Sequence, residues 1–310
     1  MDLRVSLVPG LLELKNPIMS AAGTFGSGLE YKPYGDITQL GGIITNGLTL
    51  KPCAGAPMPR VAETPSGLLT AIGTQNGGAE HFIRDILPQL PWQEVPIIPN
   101  LNANYVDEFS ELAGMLAAEP GIAALEVNLS CRNDNRSGQR FNQNTVTAAR
   151  AISAVKKAAG SKPVIAKLSP QIMDIVEIAR SVEAAGADVI SCIGTVQGLA
   201  VDVRERRAML GSVIGGLSGP AVKPLALRCV WQISHAVDIP VIGVGGIFSE
   251  LDVLEFMLVG AHAVSVGSAS FSDPESIFRI VHKLPALCEE YGIDDLNELR
   301  ASMQAASELV

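Results

Sequence analysis

Eight short apolar runs rich in Val, Ile and Ala recur along the chain, each followed by a loop and then by a segment of helical period. They are residues 17–22 (PIMSAA), 41–47 (GGIITNG), 95–100 (VPIIPN), 123–130 (AALEVNLS), 163–169 (PVIAKLS), 187–194 (ADVISCIG), 239–246 (IPVIGVGG) and 262–268 (HAVSVGS). Strands that are apolar on both faces belong to parallel sheets covered by helices. The segments between them, such as IVEIARSVEAAG and LDVLEFMLVG, place apolar residues at i, i+3 and i+4 and end on glycine. Eight strand–helix units are the content of a (β/α)8 TIM barrel, and their even spacing favours closure over a doubly wound open sheet. RVSLVPGLLELKNP, ahead of the first run, reads as a short N-terminal β-hairpin. No linker or low-complexity stretch divides residues 1–310, so the chain reads as one domain.

Composition narrows the partners. With 47% hydrophobic and 18% charged residues the chain can bury a large core and is not of disordered type. A net charge of -9 without a basic stripe argues against nucleic acid, whose phosphates demand clustered Lys and Arg. The five cysteines form no CxxC pair and are odd in number, which suits a reducing compartment and offers no zinc site. No run approaches the roughly 20 apolar residues needed to span a bilayer, and the N-terminus lacks a signal-type apolar stretch, so a cytoplasmic location is expected.

In a barrel of this kind the active site lies at the C-terminal ends of the strands. The candidates are then Ala22 and Gly23, Asn46 and Gly47, Asn100, Asn128 with Cys131, Lys167, Gly194 and Thr195, Gly245 and Gly246, and Gly267 with Ser268. The last two glycine sites expose backbone N–H groups after the seventh and eighth strands, where barrels commonly hold a phosphate, although a tight turn needs glycine too. Lys167 interrupts the apolar VIAKLS, and a lysine in a barrel mouth is costly unless an anion or electron-rich ligand faces it. Were the phosphate that of flavin mononucleotide (FMN), Lys167 would stabilise the charge that develops on the reduced ring; the alternative is a lysine that snorkels at a strand end. Asn100 and Asn128 are suited to bond a ring amide, or else cap neighbouring loops.

A lone cysteine is usually a small hydrophobe. Cys131, however, stands just past a strand end among Asn133, Asn135 and Arg136. There its thiolate could take a proton from one carbon while hydride leaves the adjacent one. Cys53, Cys192, Cys229 and Cys288 read as structural, and none of the four histidines is placed for catalysis.

NPIMSAAGTFGSGLEY, GGIITNGLTLKP, PRVAETPSGLLTAIGTQNGG, EVNLSC, VIAKLSP, GGLSGPAVKPLALR, IGVGGI and VSVGSASF together resemble the dihydroorotate dehydrogenase family, nearest its class 1B catalytic subunits. The likeness spans nearly the whole chain. It implies oxidation of dihydroorotate to orotate in pyrimidine biosynthesis, with FMN as hydride acceptor and Cys131 as base. It further implies FMN contacts from Ala22, Gly23, Asn46, Gly47, Asn100, Asn128, Lys167, Ile193, Gly219, Gly245, Gly246, Gly267 and Ser268. Substrate contacts would come from Thr70, Ala71, Ile72, Gly73, Asn128, Asn133, Gly194 and Thr195. Class 1B members pair with a subunit carrying FAD and an iron–sulfur cluster that passes electrons to NAD. This chain has neither a cluster-type cysteine set nor a dinucleotide fingerprint, so such a partner is expected, in a homodimer or heterotetramer.

The departures bear on the substrate. Where the family pattern has T-K-S, this chain has Thr45-Asn46-Gly47; its L-N-A-I-G is here Leu69-Thr70-Ala71-Ile72-Gly73, and its N-T is Gly194-Thr195. The proline after the cysteine is Arg132. Each ligand polar atom left unpaired by such changes costs on the order of 1 to 3 kcal/mol, which Arg132 or Arg136 could offset by clamping a carboxylate. Two other readings follow: the same flavin chemistry on another dihydropyrimidine, cyclic amide or unsaturated acid, or a flavin-binding electron-transfer subunit without turnover. Retention of Cys131 and Lys167 argues against the last.

Overall fold

The computed structural model describes residues 2–130, 141, 144–171 and 174–304. Strands β1 (Val5–Val8) and β2 (Leu12–Leu14) form the expected antiparallel hairpin. The eight apolar runs form β3 (Ile18–Ser20), β4 (Ile43–Leu48), β7 (Ile97–Leu101), β8 (Leu125–Asn128), β9 (Val164–Leu168), β10 (Val189–Cys192), β15 (Val241–Val244) and β16 (Ala263–Val266). These lie parallel in the order β3-β16-β15-β10-β9-β8-β7-β4. A Met19–Gly42 bridge, with the Gly41 N–H donating to Ile18 O at 2.8 Å, joins β4 back to β3 and closes the barrel. The chain is a (β/α)8 TIM barrel, as its periodicity predicts.

Strand alternation sorts the apolar residues into two layers. Val164, Ala166 and Leu168 of β9 face outward into the cluster beneath the helices, whereas Ile165 joins Met19, Ile44, Ile98, Val189 and Ile242 inside the barrel. Val5, Leu7, Leu12 and Leu14 belong to this inner cluster, so the hairpin plugs the bottom of the barrel and leaves the opposite end open for a site.

The outer layer is α2 (Val106–Ala117), α3 (Thr145–Ala159), α4 (Ile175–Ala184), α5 (Lys223–Ser234), α6 (Glu250–Leu258) and α8 (Ser276–Glu290), with short α1 (Ala79–His81), α7 (Ala269–Ser272) and α9 (Leu296–Leu299). Side chains that accept from first-turn N–H groups start several of them: Asn144 caps α3, Asp174 caps α4, and Ser249 with Asp252 makes a capping box on α6. Among the described residues no helix is long and apolar enough to cross a membrane.

One feature is absent from the sequence-based expectation. β5 (Val61–Thr64), β6 (Gly67–Thr70), β11 (Val196–Gly198) and β14 (Gly215–Ser218) form an antiparallel sheet in the order β11-β14-β6-β5, with a small hairpin of β12 (Val201–Asp202) and β13 (Arg207–Ala208) beside it. This sheet grows from the loops after the second and sixth barrel strands, and Thr70, Gln197, Gly215 and Leu217 put it against the barrel mouth.

Candidate active site

The alternation that directs Ile98, Ala124 and Ile165 into the barrel sends the residues two positions on the same way: Asn100, Glu126 with Asn128, and Lys167. Asn100, Asn128 and Lys167 reach a cavity of about 700 Å³ at the C-terminal ends of the strands, under the antiparallel sheet. That position is where barrels of this class carry their chemistry.

A hydrogen-bonded chain runs along one wall. Asn100 Nδ2 donates to Glu126 Oε1 at 2.6 Å, and Asn100 Oδ1 accepts from Asn102 Nδ2 at 2.7 Å and Asn128 Nδ2 at 3.2 Å. Asn128 Oδ1 accepts from the Ser130 N–H at 3.1 Å and hydroxyl at 2.7 Å. Asn100 therefore bonds three neighbouring side chains rather than capping loop backbone. Lys167 is only 6% exposed, and its Nζ bonds Ser191 Oγ at 3.1 Å. Among the described residues no carboxylate forms an ion pair with it, so a snorkelling lysine is not what the structure contains. A buried ammonium in that state suits an anionic or electron-rich ligand.

The glycine loops close the other side. Gly245 and Gly246 have φ of 123° and 77°. A β-carbon on Gly246 would stand 2.6 Å from Lys223 Cβ, so the chain could pass here only as glycine. The backbone N–H groups of Gly245, Gly246, Gly267 and Ser268 donate to no described residue, and all four residues line the cavity. Four unclaimed donors after the seventh and eighth strands fit a phosphate. Asn46 Oδ1, also at the cavity, is buried and has no partner among the described residues.

The structure brings together Ala22, Gly23, Asn46, Gly47, Thr70, Ala71, Ile72, Gly73, Asn100, Asn128, Lys167, Ile193, Gly194, Thr195, Gly245, Gly246, Gly267 and Ser268, all of which line this one cavity. Gly219 does not line it. Its φ of 105° and the 2.6 Å that would separate a β-carbon there from Gly67 Cα place it at a close approach between the chain after β14 and the turn before β6. Cys131, Arg132, Asn133, Asn135 and Arg136 lie outside the described residues; Ser130, the residue before them, lines the cavity. Sequence reasoning missed Asn102, Gln197 and Cys53, which line it too, and Glu126, which supports Asn100 from below. The signal for Asn102 is a second asparagine at the i+2 position from Asn100, hence on the same face.

His262 sits at the opposite end, beside Arg4, Asn297 and Arg300 in a second cavity, as expected of a residue that precedes the last strand. Cys192, Cys229 and Cys288 are buried free thiols. Among the described residues no group of three or more His, Cys, Asp or Glu is arranged to hold a metal.

The family model for dihydroorotate dehydrogenase matches residues 5–288. A Solidesulfovibrio magneticus protein described as dihydroorotate dehydrogenase B (NAD(+)), catalytic subunit, is 58% identical over 297 residues, covering 96% of this chain and 97% of that one. Proteins of the same description from Maridesulfovibrio salexigens and Desulforamulus reducens are 53% identical over 293 residues and 48% identical over 299. They cover 94% and 96% of this chain, and 96% and 98% of their own lengths.

Proposed function

This chain belongs to the dihydroorotate dehydrogenase family, and from that membership and its cavity we propose that it is the catalytic subunit of a dihydroorotate dehydrogenase that oxidises dihydroorotate to orotate in pyrimidine biosynthesis. The observation that carries the reading is the pairing, in one cavity, of a buried ammonium and four backbone N–H groups that, among the described residues, have no carboxylate and no acceptors. The ring and the phosphate of FMN together supply what both lack.

Gly245, Gly246, Gly267 and Ser268 would hold the phosphate of FMN, and Lys167, Asn46, Asn128 and Ile193 its ring. Bound, the flavin would supply a hydride acceptor. Lys167 would stabilise negative charge developing there. Thr70 to Gly73, Asn128, Gly194 and Thr195 would enclose the substrate under the antiparallel sheet and keep water from the reacting carbons. Cys131, one residue beyond Ser130, takes the proton from the carbon next to the one that loses hydride. The whole chain serves as one cytoplasmic catalytic domain. Relatives named as catalytic subunits of an NAD(+)-linked enzyme support an electron-transfer partner; in our reading that partner carries FAD and an iron–sulfur cluster, in a homodimer or heterotetramer.

The test is stopped-flow reduction of the flavin-loaded protein. Dihydroorotate should bleach the visible absorbance, and Cys131→Ala should keep the cofactor while slowing the bleach by about 10²- to 10⁴-fold. Normal reduction in that variant removes Cys131 from the mechanism. Reduction by another dihydropyrimidine but not by dihydroorotate would move the activity to a different substrate. Reduction by neither would leave electron transfer alone.

A further inference from the structure

Glu126 is fully buried and points into the barrel from β8, one inward position below Asn128. Its Oε1 takes Asn100 Nδ2 at 2.6 Å, while Oε2 meets no donor among the described residues. An oxygen at that place fixes the amide of Asn100: nitrogen toward Glu126, oxygen away from it. The oxygen in turn collects Asn102 Nδ2 at 2.7 Å. Asn102 thus has its nitrogen committed to the wall. Its Oδ1 accepts from no described residue, and Asn102 lines the cavity. Gly47 gives this amide its room, because a β-carbon there would collide with Asn102 Nδ2. The family pattern has serine at that position, so the exchange to glycine and the placement of Asn102 belong together.

We propose that Asn102 is a specificity-determining residue, whose Oδ1 accepts the ring N–H of a cyclic imide or amide, and that Glu126 is the positioning residue that holds this oxygen toward the cavity through Asn100. The inference rests on the function proposed above. Both FMN and dihydroorotate carry an N–H flanked by carbonyls, and that shared group is what an acceptor here would recognise. Without Glu126 the Asn100 amide is free to turn. Asn102 would then offer its nitrogen to the cavity, and a donor facing an N–H repels it.

The experiment compares Asn102→Ala, Glu126→Met and Glu126→Gln with the wild type. Two constants are read: FMN dissociation, from flavin fluorescence without substrate, and KM with kcat for dihydroorotate. Asn102→Ala should raise one of the two constants about tenfold, the worth of one good hydrogen bond to a buried ligand, with kcat little changed. The constant that moves identifies whether the flavin or the substrate provides the N–H. Glu126→Met, which fills similar space without an acceptor, should move the same constant. Glu126→Gln, which keeps an oxygen for Asn100, should restore it. Asn102→Ala with both constants unchanged overturns the proposal. So does a folded Glu126→Met variant that behaves as wild type while Asn102→Ala does not; if Glu126→Met fails to fold, Asn102→Ala still decides the acceptor. Wild-type protein that dihydroorotate does not reduce would overturn the proposed function instead, and the fluorescence arm would remain readable.

Discussion

The side chain of Ser130 fills the space that a β-carbon on Gly194 would need: such a carbon would stand 2.5 Å from both Cβ and Oγ of Ser130. Ser130 is itself pinned, because its N–H and hydroxyl both donate to Asn128 Oδ1. Glycine at 194, where the family pattern has asparagine, is therefore coupled to the path of the chain that leads into Cys131. It is a rearranged wall rather than an isolated loss of one amide.

Restoring the family residue should consequently harm the enzyme. Gly194→Asn has to displace Ser130 and break two hydrogen bonds to Asn128, each worth about 1 kcal/mol. We expect kcat/KM for dihydroorotate to fall at least about tenfold. Steady-state kinetics check this, and a gain in kcat/KM would show that Ser130 yields without cost.

Lys167 provides a second prediction. Lys167→Met preserves the bulk of the side chain but removes the only charge that faces the cavity from β9. FMN should be retained about ten- to a hundredfold less tightly, the range for a hydrogen bond to a charged group. The reduction potential should drop by on the order of 30 mV for each 1.4 kcal/mol of lost stabilisation of the reduced ring. Spectroelectrochemical titration reads the potential directly. An unchanged value would leave Lys167 with a packing role only.

Gly246 tests the phosphate loop separately from the ring. Alanine there meets Lys223 Cβ at 2.6 Å and Lys223 N at 2.8 Å, and the backbone is already at a φ of 77°. Lys223 cannot move aside easily, since it bonds Asp252 Oδ1 at 2.6 Å and pairs with Glu255 Oε2 at 2.7 Å. The loop has to shift, and its N–H groups with it. Gly246→Ala should weaken FMN about tenfold or more yet leave riboflavin, which has no phosphate, nearly unaffected. Equal losses for both would detach the loop from phosphate binding.

What the sequence made legible follows from the range of each interaction. The eight barrel strands were readable because two-sided burial writes itself as an unbroken apolar run. The antiparallel sheet over the mouth was not. Val61–Thr64 and Gly67–Thr70 are joined by the two-residue Pro65–Ser66 turn of a hairpin, but Thr, Ser, Gly and Pro in this stretch resemble any loop. Strand-end chemistry such as Lys167 stood out against its apolar neighbours. Glu126 did not, because its meaning depends on Asn100, 26 residues earlier and opposite it in register. Pairings of that kind are set by strand register, which no local pattern in β7 or β8 encodes.

At the end of the barrel away from the candidate active site, stability depends on pH through His262. His262 precedes β16, and its Nδ1 accepts the Val241 N–H at 3.3 Å, an arrangement that requires a neutral nitrogen there. Burial, and then the positive charge of Arg300, push its pKa down from 6.5 to about 4. Above about pH 6.5 the ring is neutral both folded and unfolded, and the full stability is present. As pH falls from there through about 4, the unfolded chain gains a proton that the folded one resists, so stability is lost; below that window both forms are protonated and the loss levels off. At about 1.4 kcal/mol per pKa unit the loss is at most on the order of 3 kcal/mol, and less to the extent that the partly exposed ring is screened. His262→Gln retains an acceptor for Val241 but has nothing to titrate. Urea unfolding at about pH 7.5 and about pH 4.5 should show the wild type losing more stability than the variant between the two conditions, by 1 to 3 kcal/mol in order of magnitude. If the difference between the two proteins is the same at both pH values, another group is responsible for the acid sensitivity of this barrel.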